Sequence, residues 1–234
     1  MTDRITLAAR SNALWCDVVA RSHGIATTTD ADVWTASTRT PPYYPDAVTL
    51  SPTVGEYDVL ARVDDSEGCS VKDSWARLDL SLEDFARIVV GEWVWLDPST
   101  TVRRTGGATW RRVTTPAGMA AWAKAWASDP EAEAVLRATL LDEPGVHFLA
   151  ARPADDPDGP VVAGAVVHVT GEVAGIGNVF TRRGDEDAVW AAAAAAAREV
   201  AGGLPLVGWE AGASLDAAVA TGCERLGPLS VWLK

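Results

Sequence analysis

A carboxylate follows a predicted apolar strand near the end of the chain. Residues 204–209 favour a strand, and Glu210 comes directly after it. Sites in α/β proteins place polar groups at the carboxyl ends of strands, where a carboxylate can act as a general base. We therefore interpret Glu210 as the candidate catalytic base. A solvated or helix-capping carboxylate is the alternative interpretation.

Three other residues have side chains capable of chemistry. Asn178 follows Gly177, so its amide could hold a water or a substrate carbonyl, or it could simply be a turn residue. His168 lies between two valines of an apolar run, which predicts an exposed or hydrogen-bonded strand residue rather than a base. Cys223 has no histidine nearby in sequence, which favours a buried thiol over a nucleophile.

The net charge excludes some classes of partner. The 20 Lys and Arg residues against 32 Asp and Glu residues give a formal charge of −12. A field of that sign repels phosphate backbones and anionic lipid, so neither nucleic acid nor a membrane is expected as a partner. The densest basic cluster, Arg103–Arg104 with Arg111–Arg112, is too small to change that expectation.

Metal and disulfide chemistry are also not expected. The three cysteines and three histidines are scattered along the chain, a pattern that favours neither a disulfide framework nor a metal centre. No apolar run of about 18 residues is present, and charged residues occur early in the sequence. These features predict a cytoplasmic protein.

The second half of the chain predicts a regular alternation of elements. From residue 110 the order is β-α-α-β-β-β-α-β-α-β, including a helix over residues 131–141. Seven consecutive alanines at 191–197 make the helix over 188–200 the strongest of these predictions, since alanine has the highest helix propensity. The turn sequence at 155–159 predicts a hairpin between two β-branched runs.

The first half is predicted to be smaller and β-rich. A helix lies within residues 1–30, and the proline-rich stretch 41–45 should be extended. The remaining predicted elements are strands over 48–50, 59–63 and 70–80, a helix over 81–90 and a strand over 93–96. The Thr-Gly-Gly sequence at 105–107 suggests a boundary near residue 106, which divides the chain into regions 1–106 and 107–234. The predicted fold class is α/β (mixed α+β), with a central mixed sheet flanked by helices.

The order of elements in 107–234 resembles the GCN5-related N-acetyltransferase (GNAT) family. Three segments carry the likeness. They are Gly175–Thr181 followed by Arg182-Arg183-Gly184 and a long helix, the strand and helix within 206–222, and the final strand 229–233. The first 106 residues are interpreted as an α+β region that could be a degenerate second copy of the same fold, as in tandem GNAT proteins.

This resemblance implies that the chain uses acetyl-CoA as a co-substrate and transfers its acetyl group directly to an amine of a small acceptor. In the family, two parallel strands separate so that the pantetheine arm pairs with the edge of one of them, and a loop before a helix binds the pyrophosphate. The candidate catalytic residues for this transfer are Glu210 and Asn178, chosen from their positions in the sequence. The implied cofactor-binding residues are Val179, Phe180, Thr181, Arg182, Arg183, Gly184 and Asp185.

Two departures from the family pattern leave an alternative open. A glycine of the pyrophosphate loop is replaced by Asp185 or Glu186, depending on the alignment, and acids at that place oppose anion binding. The tyrosine that commonly protonates the leaving thiolate is replaced by Ala218. The alternative is a non-catalytic GNAT-like binding module that has lost acetyl transfer.

Overall fold

The computed structural model describes residues 3–103, 107–182 and 186–234. The chain forms two compact units, one made of Met1–Trp93 with Leu226–Lys234 and the other of Val94–Arg225. The predicted boundary residue, 106, lies outside the described residues. The two compact units divide at residues 93/94 and 225/226, and the predicted division near 106 stays a prediction.

The first unit is a mixed sheet with one long helix. Its elements are α1 (Arg4–Ser22), β1 (Thr27–Thr29), β2 (Val33–Ala36), β3 (Ala47–Thr49), α2 (Glu56–Leu60), β4 (Ser70–Asp73), most of β5 (Ala86–Leu96) and most of β11 (Glu224–Leu233). The strand order includes β1-β2-β3-β4-β11, in which β3 and β4 are parallel and the other pairs antiparallel.

Helix α1 forms where the sequence predicts a helix. The Asp3 carboxylate caps its N-terminus by accepting the Thr6 amide at 3.3 Å, and Gly24 follows the C-terminal residue His23 with φ of 76°. Its buried face is built largely from alanine and valine and packs against the first three strands. The helix predicted within residues 1–30 is therefore confirmed.

Several predicted elements of the first unit are wrong. The predicted strand 59–63 is instead the end of α2, which stops at Leu60, followed by a turn, and Val59 is the one residue of that helix that is buried. The predicted helix 81–90 is a 3-10 turn over Ser81–Glu83 followed by β5. Asp84 has φ of 63°, which breaks the helix, and the β-branched run after it favours a strand.

Two other segments are shorter or more bent than predicted. The strand predicted over 70–80 ends at Asp73, because the Asp73 carboxylate accepts the amides of Trp75 and Leu78 and turns the chain. The proline-rich stretch 41–45 is a turn, in which Tyr43 has φ of 71°.

The second unit contains the elements that resemble the GNAT order. They are β6 (Ala108–Arg112), α3 (Pro116–Trp126), α4 (Pro130–Glu133), a 3-10 helix (Ala138–Asp142), β7 (Val146–Pro153), β8 (Ala163–Thr170), β9 (Val173–Thr181), α5 (Glu186–Val200), β10 (Leu206–Glu210) and α6 (Gly212–Ala220). The single helix predicted over 131–141 is replaced by α4 and the 3-10 helix. The strand order is β10-β9-β8-β7-β6, with β9 and β10 parallel and the others antiparallel.

Helices cover both faces of this sheet. The alanine-rich α5 packs with α6 against side chains such as Leu149 and Ala165. The neighbouring positions, Phe148 and Gly164, face the opposite side, where Trp122 of α3 packs on Phe148 with ring centroids 5.1 Å apart. The sheet is thus a mixed sheet flanked by helices, which confirms the predicted fold class.

Gly164 is needed where α3 meets the sheet. A Cβ atom at this position would lie 2.5 Å from both the Phe180 ring and the Trp122 indole nitrogen. The indole has little freedom to move, because its N–H donates to the Leu149 carbonyl at 2.9 Å. Any larger side chain at 164 must therefore displace packed aromatic rings.

We expect Gly164→Ala to lower the free energy of unfolding by about 1–3 kcal/mol through overpacking. The matched control is Gly177→Ala on the adjacent strand, where an added Cβ meets nothing within 4 Å. Urea denaturation of both variants measures the difference. Equal stabilities for the two variants would contradict the packing described here.

Candidate active site

A β-bulge interrupts β9 near its carboxyl end. Gly164 pairs with Phe180 and Val166 with Gly177, so two residues of β9 lie opposite one of β8. Asn178 is the first of those two and has φ of 50°, a left-handed conformation that asparagine tolerates better than most residues. The bulge therefore changes the direction of β9 at the residue that the sequence suggested as a catalytic candidate.

The parallel pairing of β9 with β10 ends before this bulge. The register contains two pairs, Leu206 with Ala174 and Val207 with Gly175. Gly208 still lies close to β9, because a Cβ on it would be 2.6 Å from the Ile176 carbonyl oxygen. Beyond that point no further β9–β10 pair is found among the described residues, and Gly177 faces open space. The carboxyl ends of β9 and β10 thus leave a gap in the ladder.

Glu210 is the last residue of β10 and lies at this end of the strand pair. Its side chain is half-buried, and its Oε2 accepts a hydrogen bond of 2.8 Å from the hydroxyl of Ser214 on α6. Burial raises the pKa of Glu210 from 4.5 to about 7, against the opposing effect of the Ser214 hydroxyl. A carboxylate with that pKa is suited to accept a proton near neutral pH.

The surroundings of Glu210 are contributed mainly by α5. The indole nitrogen of the buried Trp190 makes no hydrogen bond of standard geometry in the described part of the chain, yet its proximity lowers the Glu210 pKa. The negative charge of Glu186, at the start of α5, raises it. The pKa of Glu210 is therefore set mainly by burial, and the side chains of Ser214, Trp190 and Glu186 have smaller effects.

The raised pKa predicts a pH-dependent stability. The folded state retains a proton on Glu210 that the unfolded state loses from about pH 4.5 upward, so the stability that it contributes decreases as the pH rises through about 7. Relative to wild type, Glu210→Gln should therefore gain on the order of 2 kcal/mol in unfolding free energy between pH 5 and pH 8. Denaturant titrations at the two pH values test this, and a constant difference would contradict the raised pKa.

The predicted cofactor-binding residues of β9 point in different directions. Val179 packs against the α5 side of the core, whereas the Phe180 ring meets Trp122 with centroids 5.1 Å apart on the other face. Thr181 pairs with Ala163 at the end of the β8 ladder. What these three residues could offer to an extended ligand is therefore backbone.

Arg182 is engaged within the protein. Its guanidinium donates to the carbonyls of Ala125 and Ala127 at the end of α3, and its amide donates to the Val162 carbonyl at 2.7 Å. The cofactor-binding role that the resemblance implies for Arg182 does not fit these contacts. Arg183, Gly184 and Asp185 lie outside the described residues, so their predicted role stays a prediction.

Ala218, at the position of the family's tyrosine, is fully buried in the core between α5 and α6. Cys223 is buried too, and burial raises the pKa of its thiol to about 12, with the nearby Glu210 charge adding to the effect. The thiol is thus protonated and unsuited to act as a nucleophile. His168 is buried within the β7-β8-β9 ladder, opposite Val146 and Gly175, rather than exposed.

Two neighbours of Glu210 were not recognised as site residues from the sequence. Ser214 lies within α6, which begins after Ala211, and its hydroxyl donates to Glu210. The four-residue separation of the two residues was the available signal. Trp190 had no such signal, because its approach to Glu210 depends on the packing of α5.

No group of three or more metal-binding side chains is found within residues 3–103, 107–182 and 186–234. In the same ranges, none of the helices has the length and apolar character needed to cross a membrane.

The architecture is similar to that of several solved structures. A GCN5-related N-acetyltransferase from Kribbella flavida shares 15% identity with a TM-score of 0.65, covering 97% of this chain and 95% of that one. A putative GNAT-family acetyltransferase from Novosphingobium aromaticivorans shares 14% identity with a TM-score of 0.54, covering 95% and 96%. A conserved protein of unknown function from Staphylococcus epidermidis shares 10% identity with a TM-score of 0.55, covering 88% and 92%.

No family model matches the sequence, and no curated protein matches it. The structural likeness extends over nearly the whole length of the first two proteins named above, and at sequence identities of 14–15% it shows a shared fold alone. The resemblance inferred from residues 107–234 is thereby confirmed at the level of architecture. The chain has the fold of the GNAT acetyltransferases.

Proposed function

We propose that this protein is an acetyl-CoA-dependent N-acetyltransferase that acts on the amine of a small acceptor. The observation that supports the proposal is Glu210, a half-buried carboxylate with a pKa of about 7 at the carboxyl end of β10, where the pairing with β9 has ended. An acid with that pKa in a sheltered position is typical of a general base.

The proposed reaction is a direct transfer. Glu210 accepts a proton from the ammonium or amine of the acceptor, and the amine nitrogen attacks the thioester carbonyl carbon. The C–S bond breaks as the C–N bond is completed, and the thiolate of coenzyme A takes up a proton. Because Ala218 carries no acidic group, we propose that water passes to the thiolate the second proton, which the nitrogen releases as the C–N bond forms.

The backbone of β9 after the bulge is the proposed binding edge for the pantetheine arm. Parallel pairing with β10 stops at Gly175, so Val179 and Phe180 can offer backbone groups to an extended ligand in the manner of an added strand. Asn178, held in the bulge, is proposed to orient the acceptor or a water. Arg182 is excluded from the proposed pyrophosphate contacts by its bonds to α3.

The charge of the protein favours a cationic acceptor. A net charge of −12 raises the local concentration of amines, which are protonated at neutral pH. The three cysteines are free and buried, as is common in the reducing cytoplasm, which we propose as the location.

A non-catalytic binding module is the second candidate function. It is favoured by Ala218, which has no acidic group at the position of the family's tyrosine, and by Glu186, whose charge at the start of α5 opposes a bound diphosphate. In this alternative, the gap between β9 and β10 would hold a ligand without transfer.

Two measurements distinguish the candidates. Acetyl-CoA at a hundredfold excess over its dissociation constant should stabilise the folded state by about 2.7 kcal/mol, which thermal unfolding detects. In addition, an active enzyme should release free thiol from acetyl-CoA when a suitable small amine from a panel is present, and not when amines are absent. Stabilisation without thiol release would favour the binding module, and the absence of both would reject the acetyl-CoA site.

A further inference from the structure

A cavity of about 480 Å³ opens in the second unit at the edge of the sheet opposite β10. It lies between the last residues of β6, the start of α3 and the turn that joins β7 to β8. Three arginines contribute to its lining, together with threonine hydroxyls and one acid; the residues used below are Thr109, Arg111, Arg112, Thr115, Arg152 and Asp158. The volume lies in the range typical of small-molecule sites.

Arg111 is available to a ligand, whereas its neighbour Arg112 points to the opposite face of β6. The exposed side chains of Arg111 and Arg112 form no hydrogen bond or ion pair with any residue in the described ranges. Arg152 is held in place, because its guanidinium donates to the Gly159 carbonyl in the β7–β8 turn. Thr109 pairs with Arg152 across the β6–β7 ladder, so these two residues lie next to each other in the lining of the cavity.

The local charge is opposite to that of the whole protein. Arg111 and Arg152 lie on the same face of the β6–β7 pair, and Asp158 is the single acid of the lining, in a chain of net charge −12. At the floor of the cavity, Thr115 caps α3 by accepting the Gly118 amide at 3.1 Å, so the positive end of the helix dipole adds to the same field.

This cavity is separate from Glu210. Glu210 belongs to β10, whereas the cavity is built on β6 and β7, which are four and three strand positions away in the sheet. With neighbouring strands ~4.8 Å apart, at least about 14 Å of sheet separates them. One functional group of a ligand therefore cannot contact both Glu210 and the cavity.

We propose that this arginine-lined cavity binds a small molecule through a phosphoryl group. A guanidinium presents paired N–H donors that match the oxygens of a phosphate, and unpaired arginines are the side chains best suited to bind it. The threonine hydroxyls supply additional neutral donors. The proposal concerns a second ligand and does not depend on acetyl transfer at Glu210.

Arginine-selective labelling tests the proposal without an activity assay. The full chain is treated with a dicarbonyl reagent in inorganic phosphate or in chloride of equal ionic strength, and mass spectrometry follows the labelling of each arginine. We expect phosphate to slow the labelling of Arg111 at least threefold. The rate at Arg10, an exposed arginine of α1, should stay unchanged. Equal slowing at both arginines, or none at Arg111, would overturn the proposal.

A pair of charge-matched variants gives an independent test. Arg111→Gln should weaken phosphate binding at least tenfold in isothermal titration at fixed ionic strength, whereas Arg10→Gln should leave it unchanged. Both substitutions remove one positive charge from an exposed arginine, so they alter the net charge equally. Identical phosphate affinities for the two variants would contradict the assignment of the site.

Discussion

Replacing Glu210 with glutamine should lower the turnover of acetyl transfer by about 10²–10⁴-fold, the usual contribution of a general base. Glutamine keeps the shape of the side chain, and its amide oxygen can still accept a hydrogen bond from the Ser214 hydroxyl, which lies 2.8 Å from Glu210 Oε2 in the wild type. It cannot accept the proton of the acceptor amine. The stabilisation by acetyl-CoA should persist, because Glu210 is not part of the proposed binding edge.

The pH profile separates a base from a merely structural carboxylate. Wild-type kcat/KM should rise with pH through the Glu210 pKa of about 7, and the variant should lose that rise. Glu172→Gln, in the exposed turn between β8 and β9, is the matched control and should leave the profile unchanged. Wild-type turnover in Glu210→Gln would reject this residue as the base.

Replacing Asp46 with alanine should lower the stability of the first unit by about 3–5 kcal/mol, the range found when a buried ion pair loses one partner. Asp46 is 2% exposed, and Arg39 donates to its carboxylate at 2.5 Å. The amides of Thr40 and Ser70 donate to the same group at 2.7 and 3.0 Å. One carboxylate therefore joins the loop after β2 to the start of β4, and its loss leaves these donors without their acceptor.

Asp65→Ala is the matched control for this variant. Asp65 is half-exposed and pairs with Lys234 at 3.3 Å, so its removal should cost at most about 1 kcal/mol. Both variants remove the acidic member of an ion pair in the same unit, and they differ mainly in burial. Denaturant unfolding that gave equal losses for the two would contradict the assignment of Asp46 as a buried anchor.

The elements that could be predicted from sequence are those with strong local signals. The alanine run predicted α5, and the turn sequence at 155–159 predicted the β7–β8 hairpin. The segment 81–90 was misinterpreted because Ser81 and the acids after it look like a helix start, whereas the β-branched residues that follow form β5. In this segment, strand propensity and pairing within the sheet outweigh the local signals for a helix N-terminus.

The candidate site divides in the same way. The position of Glu210 at the end of a strand follows from local pattern, and the structure places it there. The pKa of Glu210 depends on how α5 and α6 pack around it, and this packing cannot be predicted from a short stretch of sequence. The engagement of Arg182 could not be foreseen either, because its guanidinium contacts α3 carbonyls 57 and 55 residues earlier in the chain.

The final strand has a consequence for biosynthesis. Most of β11 belongs to the first unit, where it pairs with β4, although residues 94–225 of the second unit are translated before it. At ribosomal rates of roughly 5–20 residues per second, that interval lasts on the order of ten seconds. Throughout it the nascent first unit presents the unpaired edge of β4, the kind of surface that chaperones shield on emerging polypeptides.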